Sequence, residues 1–381
     1  MSYFDNPLAI TTLVHVLIVL MFGVRIVMRR SAPGVAFAWL FLITMVPFAG
    51  AIMYLLVGER RIGPERARRL DSLSAAARGS DGSIYGEMFT DVDWSRHPRA
   101  AGVQVQPALP VGPIRSFVSR VGLRLHRKVV VVDNQVAWTG SMNLADPRIF
   151  KHGVGEWVDA FVRLRGSVVA PLGATVLGDW MLETGTALGE PAESAGLRDV
   201  QPRGSADIQV VPSGPGETGD GMLQMLLTLM NSTHEELVLT TPYLVPDDSM
   251  IRALRGGAGR GVKVTIIVPE QVDSVLTRHA SRSFFDDLLD AGVEIFLYRK
   301  GLLHTKPIVV DSGLSMFGSV NLDMRSLWMN YEIALFVYDP EFSERLRDLQ
   351  QSYLSDSRRL NPANGPHAPF VSDSWKTQSG W

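Results

Sequence analysis

Two apolar stretches open the chain. Residues 8–28 and 33–57 are near-continuous runs of Leu, Val, Ile, Phe, Met and Ala, each long enough to cross ~30 Å of hydrocarbon as a helix. His15 and Arg25 interrupt the first run, Arg25 near its end where a long side chain can reach the interface. Pro47 predicts a kink in the second. A Ser31-Ala32-Pro33-Gly34 turn joins them and neither shows an amphipathic face. Residues 1–60 therefore read as a transmembrane hairpin rather than as a cleavable leader or a buried helical pair. Five arginines follow it (Arg60, Arg61, Arg66, Arg68, Arg69) against three on the loop side (Arg25, Arg29, Arg30). That excess places the remainder of the chain on the cytoplasmic side.

After the hairpin the pattern changes. Residues 61–100 are rich in Arg, Ser, Gly and Asp, with no strand-like run. Beyond residue 206 strands and helices alternate: a helix over Met222–Met230, a strand over Leu237–Thr241, a helix over Met250–Gly259, a strand over Val262–Val268, a helix over Ser281–Ala291 and a strand over Val293–Tyr298. Such alternation implies a parallel or mixed sheet covered by helices. The Ala101-Gly102-Val103 segment answers Ala291-Gly292-Val293, but upstream of Ala101 nothing matches Leu237–Thr241 or Val262–Val268. The pattern predicts an incomplete first lobe (101–195), a Pro/Gly/Ser-bearing connection over 190–205, a full second lobe (206–360) and a loose polar tail (361–381).

The two lobes share one phrase. His126, Lys128, Asp133, Gly140, Ser141 and Asn143 recur as His304, Lys306, Asp311, Gly318, Ser319 and Asn321, at a constant offset of 178 residues (126 to 304). Six identities in fixed register mark an internal duplication, so the copies are expected side by side in space. Val129–Val132 and Ile308–Val310 read as strands, on which His126 and Lys128 share a face, as do His304 and Lys306. Asp133 and Asp311, seven positions beyond each His, fall on the opposite face. Within the candidate catalytic set His126, Lys128, Asp133, His304, Lys306 and Asp311, the two Asp are read as structural supports. Ser141, Asn143, Ser319 and Asn321 open the next turn, where hydroxyl and amide can reach a phosphate oxygen.

Two imidazoles suit phosphodiester chemistry, because one can attack phosphorus while the other protonates the leaving alkoxide. Two ammonium groups and two amides can stabilise the non-bridging oxygens, a task a metal ion performs elsewhere. Only six of 37 basic residues are lysines, and two of them occupy the phrase. His97, His152, His234, His279 and His367 lack ligand spacing, so no metal or other cofactor is expected.

The duplicated H-x-K-x4-D-x6-G-S-x-N phrase resembles the phospholipase D superfamily. The words around it, Leu125 to Val129, Thr139 to Asp146, Thr240 to Asp248, Gly301 to Lys306 and Asn321 to Trp328, are similar to those of bacterial cardiolipin synthases. The resemblance implies an α/β fold of two phospholipase D-like lobes, each a sheet flanked by helices, behind the hairpin. It implies transfer of a phosphatidyl group between two phosphatidylglycerol molecules through a phosphohistidine on His126, giving cardiolipin and glycerol. Hydrolysis of phospholipid, or an impaired membrane scaffold, are the alternatives that product analysis separates. It further implies an acidic residue after each motif to orient an imidazole, and Asp159 and Glu332 fit that role.

Charge and composition narrow the partners. A formal net charge of −2 gives no nucleic-acid footprint; the resemblance implies phosphatidylglycerol and membrane phospholipid as partners. With no cysteine the chain has no disulfide framework. Pro110–Arg124, where Val111, Ile114, Phe117, Val118 and Val121 alternate with Arg115, Arg120 and Arg124, reads either as a contact to anionic headgroups or as a solvated helix face.

Overall fold

The computed structural model describes residues 7–28, 33–46, 48–58, 66, 68–69, 103–109, 122–144, 154–186, 200–216 and 220–361. The chain divides into two units, 1–71 with 109–123, and 72–108 with 124–381.

In the first unit α1 (Pro7–Met28) coincides with the first apolar run. The second run is not one helix. It forms α2 (Pro33–Met45), α3 (Ala49–Met53) and a π turn (Tyr54–Gly58), with Phe48 between α2 and α3 in the left-handed region at φ 60°. At 1.5 Å per residue α2 rises about 20 Å, short of a ~30 Å span. Among the described residues no helix is long and apolar enough to cross a membrane. Of the expected Ser31-Ala32-Pro33-Gly34 turn, Pro33 and Gly34 open α2; its first two residues, the kink at Pro47, and Arg60 and Arg61 of the arginine cluster lie outside the described residues. Phe22 and Ile26 pack against Ile43, Ala51 and Tyr54, with Phe22 and Trp39 meeting the Tyr54 ring edge-on at 5.5 and 5.4 Å. The opposite faces leave Leu17, Leu20, Val24, Phe37 and Phe41 exposed.

The second unit starts with β1 (Arg124–Leu125), β2 (Val129–Val132), β3 (Val136–Gly140), β4 (Trp157–Val158), β5 (Phe161–Arg165) and α4 (Val169–Thr184). Then come β6 (Asp207–Ser213), α5 (Gly221–Asn231), β7 (Glu236–Thr240), α6 (Asp248–Gly259), β8 (Lys263–Pro269), α7 (Val275–Arg282), α8 (Phe285–Asp290) and β9 (Glu294–Tyr298). The chain closes with β10 (Leu302–Leu303), β11 (Ile308–Val310), β12 (Leu314–Gly318), α9 (Met324–Trp328), β13 (Asn330–Tyr338), α10 (Pro340–Ser355) and β14 (Ser357–Arg359).

Nine strands make one sheet in the order β1-β13-β12-β11-β7-β8-β9-β14, with β6 also on β13. β7, β8 and β9 are parallel and apolar on both faces, as a covered parallel sheet requires. Leu237, Leu239, Val264, Ile266 and Ile295 face α5, α6 and α8, while Val238, Ile267 and Tyr298 face Tyr353 of α10. The expected helix over 281–291 is two helices. Ser274 caps α7 by accepting from the Thr277 N–H at 3.2 Å, and Ser283 turns its hydroxyl back to the Ala280 carbonyl at 2.7 Å, where α7 ends.

The first lobe contributes a three-stranded sheet, β2-β3-β5. Its antiparallel pairing repeats β11-β12-β13. Val129, Ala137 and Leu164 of this sheet, Leu172 and Val176 of α4, and Ile333 and Leu335 of β13 share one core. On its other side β11 pairs with β7; β2 has no such second partner among the described residues. The stretch 62–100, most of the connection at 190–199, the segment 110–121 and the tail after 361 lie outside the described residues, Arg66, Arg68 and Arg69 apart.

Candidate active site

Two short parallel pairings place the histidines. Arg124 and Leu125 of β1 lie beside Asn330 and Tyr331 of β13, and the His126 N–H continues the ladder to the Tyr331 carbonyl at 2.8 Å. Leu302 and Leu303 of β10 lie beside Trp157 and Val158 of β4, and the His304 N–H continues to the Val158 carbonyl at 2.8 Å. One step further along each ladder, His126 stands beside Glu332 and His304 beside Asp159. The contacts are crossed: His126 Nδ1 is 2.9 Å from Glu332 Oε2, and His304 Nδ1 is 2.6 Å from Asp159 Oδ1. Each imidazole is thus oriented by the carboxylate of the other lobe, which leaves its Nε2 for chemistry. His126 and Lys128 were expected on a strand. They lie instead in the extended link between β1 and β2, as His304 and Lys306 do between β10 and β11.

The two motif serines bond to the orienting carboxylates and to the backbone beside them. Ser319 Oγ donates to Glu332 Oε2 at 2.5 Å and accepts from the Ile333 N–H at 3.0 Å. Ser141 Oγ accepts from the Ala160 N–H at 3.0 Å and also supports the Asp159 carboxylate. Both hydroxyls hold carboxylates. The preceding glycines permit this approach, since a Cβ at Gly140 or Gly318 would lie 2.2 Å from the Ala160 or Ile333 carbonyl oxygen. Asn321 is buried with Oδ1 unpartnered among the described residues, and Asn143 is half-buried.

The two Asp stand apart from the reacting groups. Asp311 sits in the β11–β12 turn at φ 48° and accepts the N–H groups of His234, Glu235 and Glu236 at 2.8–2.9 Å, fixing the start of β7. It touches no other motif side chain among the contacts described. Asp133 adopts the same turn at φ 51° and is exposed.

Burial and mutual charge govern the site's electrostatics. Burial, with Lys306 next in weight, lowers His304 to about 3 against the pull of Asp159. Burial also lowers His126, against Glu332. Lys306 falls to about 7 and Lys128 to about 8, in both cases chiefly through burial. Burial works to raise Glu332, but His126, Lys128 and Ser319 outweigh it and hold the carboxyl below its usual range. Lys306 acts on His126 and Lys128 acts on His304, so the two motifs form one electrostatic cluster. Two lysines whose charge is this poorly sustained are poised for an anion. Each also donates from its Nζ to the carbonyl of its own motif His, at 2.7 Å for Lys128. Among the described residues no group of three or more His, Asp or Glu is placed to hold a metal ion.

Several supporting residues escaped the sequence reading. Ser326 Oγ and Asn330 Nδ2 each donate to Glu332 Oε1 at 2.9 Å. The Trp157 ring lies 4.5 Å from that of His304. Arg127, the residue inside the first motif, donates to the Asp179 carboxylate at 2.6 Å, the Glu332 carbonyl at 2.9 Å and the Ser213 carbonyl at 3.0 Å, beside the Tyr331 ring. Its counterpart Thr305 makes no such strap. The available signal was a basic residue between His and Lys in one copy alone.

Fold and site together define a phospholipase D-like protein. Residues 226–353 match the family described as "Cardiolipin synthase, PLD-like domain", and 8–59 match "Phospholipase_D-nuclease N-terminal". The chain is 44% identical over 305 residues to cardiolipin synthase A of Pectobacterium carotovorum subsp. carotovorum (strain PC1) and 43% identical to that of Serratia proteamaculans (strain 568). Each alignment covers 78% of this chain and 63% of the relative, so the chain spans less than two thirds of these relatives' length. A solved phosphatidylserine synthase from Haemophilus influenzae Rd KW20 aligns with 62% of this chain and 63% of its own, at 17% identity and a TM-score of 0.47. Over these 305 residues the chain is a homologue of bacterial cardiolipin synthase A, and residues 226–353 match its phospholipase D-like domain.

Proposed function

We propose that this protein is a membrane-anchored phosphatidyltransferase that joins two phosphatidylglycerol molecules into cardiolipin and releases glycerol. The observation that carries the reading is the crossed pairing of His126 with Glu332 and His304 with Asp159. It gives two oriented imidazoles, each able to present Nε2 to substrate, as attack on phosphorus and protonation of a leaving group require.

His126, the more open of the two at 23% side-chain exposure against 4% for His304, is assigned the attack. Its Nε2 forms a bond to phosphorus as the bond from phosphorus to the glycerol oxygen breaks. His304 gives its proton to that oxygen. The free hydroxyl of a second phosphatidylglycerol then loses its proton to His304 and displaces His126 from phosphorus. A phosphodiester anion beside His304 raises its imidazole toward the protonated form that the acid step requires. Lys128, Lys306, Asn143 and Asn321 are assigned to the non-bridging oxygens, and Ser141 and Ser319 to the orienting carboxylates.

The exposed apolar faces of α1 and α2, with the family match over 8–59, support an amino-terminal membrane hairpin. The arginine-rich residues 60–69 support a cytoplasmic catalytic part. Anchoring favours transfer over hydrolysis by raising the local concentration of lipid alcohol. The test is mass spectrometry of the lipids formed when purified protein meets phosphatidylglycerol. Cardiolipin is expected; phosphatidic acid without cardiolipin would replace transfer by hydrolysis.

A further inference from the structure

The two lobes seat their histidines by matching ladders and line them differently. Trp157 of β4 stands in register with Leu302 of β10, and Asn330 of β13 stands in register with Arg124 of β1, the same place in the first copy. Each lies two residues before its orienting carboxylate and so shares a strand face with it. Asn330 turns its Nδ2 to Glu332 Oε1 at 2.9 Å. Trp157 lays its ring against the His304 imidazole, with centroids 4.5 Å apart and planes at 43°, a favourable aromatic contact.

The ring is held in place. Trp157 is buried, packs with Val154 and Leu302 and meets Val272. The Leu302 N–H donates to the Glu156 carbonyl at 3.0 Å, and Gly301 approaches so closely that a Cβ there would lie 2.2 Å from that oxygen. His304 is left 4% exposed at its side chain, against 23% for His126. One imidazole is walled with carbon while its counterpart stands more open.

In the transfer reading, on which this inference rests, His304 takes the acceptor's proton in the second half-reaction. Water competes for the same imidazole. It would give its proton to His304 Nε2 while its oxygen bonds to phosphorus and the bond from phosphorus to His126 Nε2 breaks, leaving phosphatidic acid. A water beside the imidazole needs polar partners to stay there, and an indole face offers little. We propose that Trp157 is a positioning residue that shields His304 from water, so that a lipid hydroxyl, in preference to water, resolves the phosphohistidine on His126. Water exclusion suppresses the hydrolysis of reactive intermediates.

The test measures how one phosphoenzyme is partitioned. Full-length protein in detergent micelles is given phosphatidylglycerol, and phosphatidic acid is measured against cardiolipin by mass spectrometry. Both products arise from the same phosphohistidine. A variant that folds poorly therefore loses both in step and leaves their ratio unmoved. Trp157→Ala and Trp157→Leu are each expected to raise the ratio of phosphatidic acid to cardiolipin about tenfold, and Trp157→Phe, which keeps a ring, falls between them and the parent. An unchanged ratio in both Ala and Leu variants overturns the proposal, as does loss of both products in all three. If the parent makes no cardiolipin, the transfer reading fails separately. Carbethoxylation by diethyl pyrocarbonate, mapped by peptide mass spectrometry, then judges the shield without turnover. Protection of His304 in the parent that is lost in Trp157→Ala supports it; equal labelling in the two overturns it.

Discussion

At the scale of single residues the site is a set of exchanged supports. Glu332 takes His126, Ser319, Ser326 and Asn330 at its two oxygens while wholly buried, so its charge is sustained by donors from both lobes. Glu332→Gln and Asp159→Asn keep shape but remove the negative charge that holds each histidine's tautomer and can turn a donor toward the ring. Each is expected to lower kcat for cardiolipin formation about a hundredfold or more with KM little changed; a parent rate in either variant would remove that carboxylate from the mechanism. The lysines give a pH signature. Lys306 at about 7 and Lys128 at about 8 are depressed by burial, and an anion binds the protonated forms. Affinity is therefore full below about pH 7 and is lost as pH rises through these values. KM for phosphatidylglycerol, measured from pH 6 to 9, should be flat and then climb, by up to about tenfold per pH unit per lysine lost. A KM that falls with rising pH contradicts the assignment.

At the scale of elements, the crossing is made by two-residue strands. β1 on β13 and β4 on β10 each carry one histidine past the other lobe's acid. Nothing in Arg124–Leu125 or Trp157–Val158 marks a strand, because two residues show no periodicity. The repeated phrase was legible, since identity at a fixed offset needs no structure, and so were Val129–Val132, Ile308–Val310 and the helices over 221–231 and 248–259, whose apolar period is strong. The helix expected over 281–291 merged α8 with the last turn of α7, since apolar residues persist across a break made by Ser283. The second apolar run likewise hid the left-handed Phe48. Serine hydroxyls look alike in sequence whether they face phosphate or carboxylate. Arg127 straps β1 to β6, β13 and α4, and its ion pair with Asp179 is nearly buried, at 7% and 11% side-chain exposure. Removing one partner of such a pair typically costs about 3–5 kcal/mol. Arg127→Met is therefore expected to lower Tm clearly, and Asp179→Asn less; differential scanning calorimetry decides, and an unchanged Tm in Arg127→Met would deny the strap.

At the scale of the whole molecule, the second unit holds both motifs, three α/β strands with their helices behind one motif and a small three-stranded sheet behind the other. The turn at Asp311 clamps the strand that pairs with β11, and the same turn at Asp133 is retained in the lobe where no such strand is described. The reading of the first unit as a membrane hairpin has its own test. The chain has no cysteine, so Ser379→Cys supplies a single label site. An impermeant thiol reagent should reach it only after the inner membrane is opened; labelling with the outer barrier alone breached reverses the orientation. The most direct test of the central claim, that two lobes build one phosphatidyl-transfer site, compares the parent with His126→Ala and His304→Ala by mass spectrometry of lipid products from phosphatidylglycerol. Because nucleophile and acid act as a unit, cardiolipin is expected from the parent and from neither variant. A His126→Ala protein that makes cardiolipin at the parent rate contradicts the account.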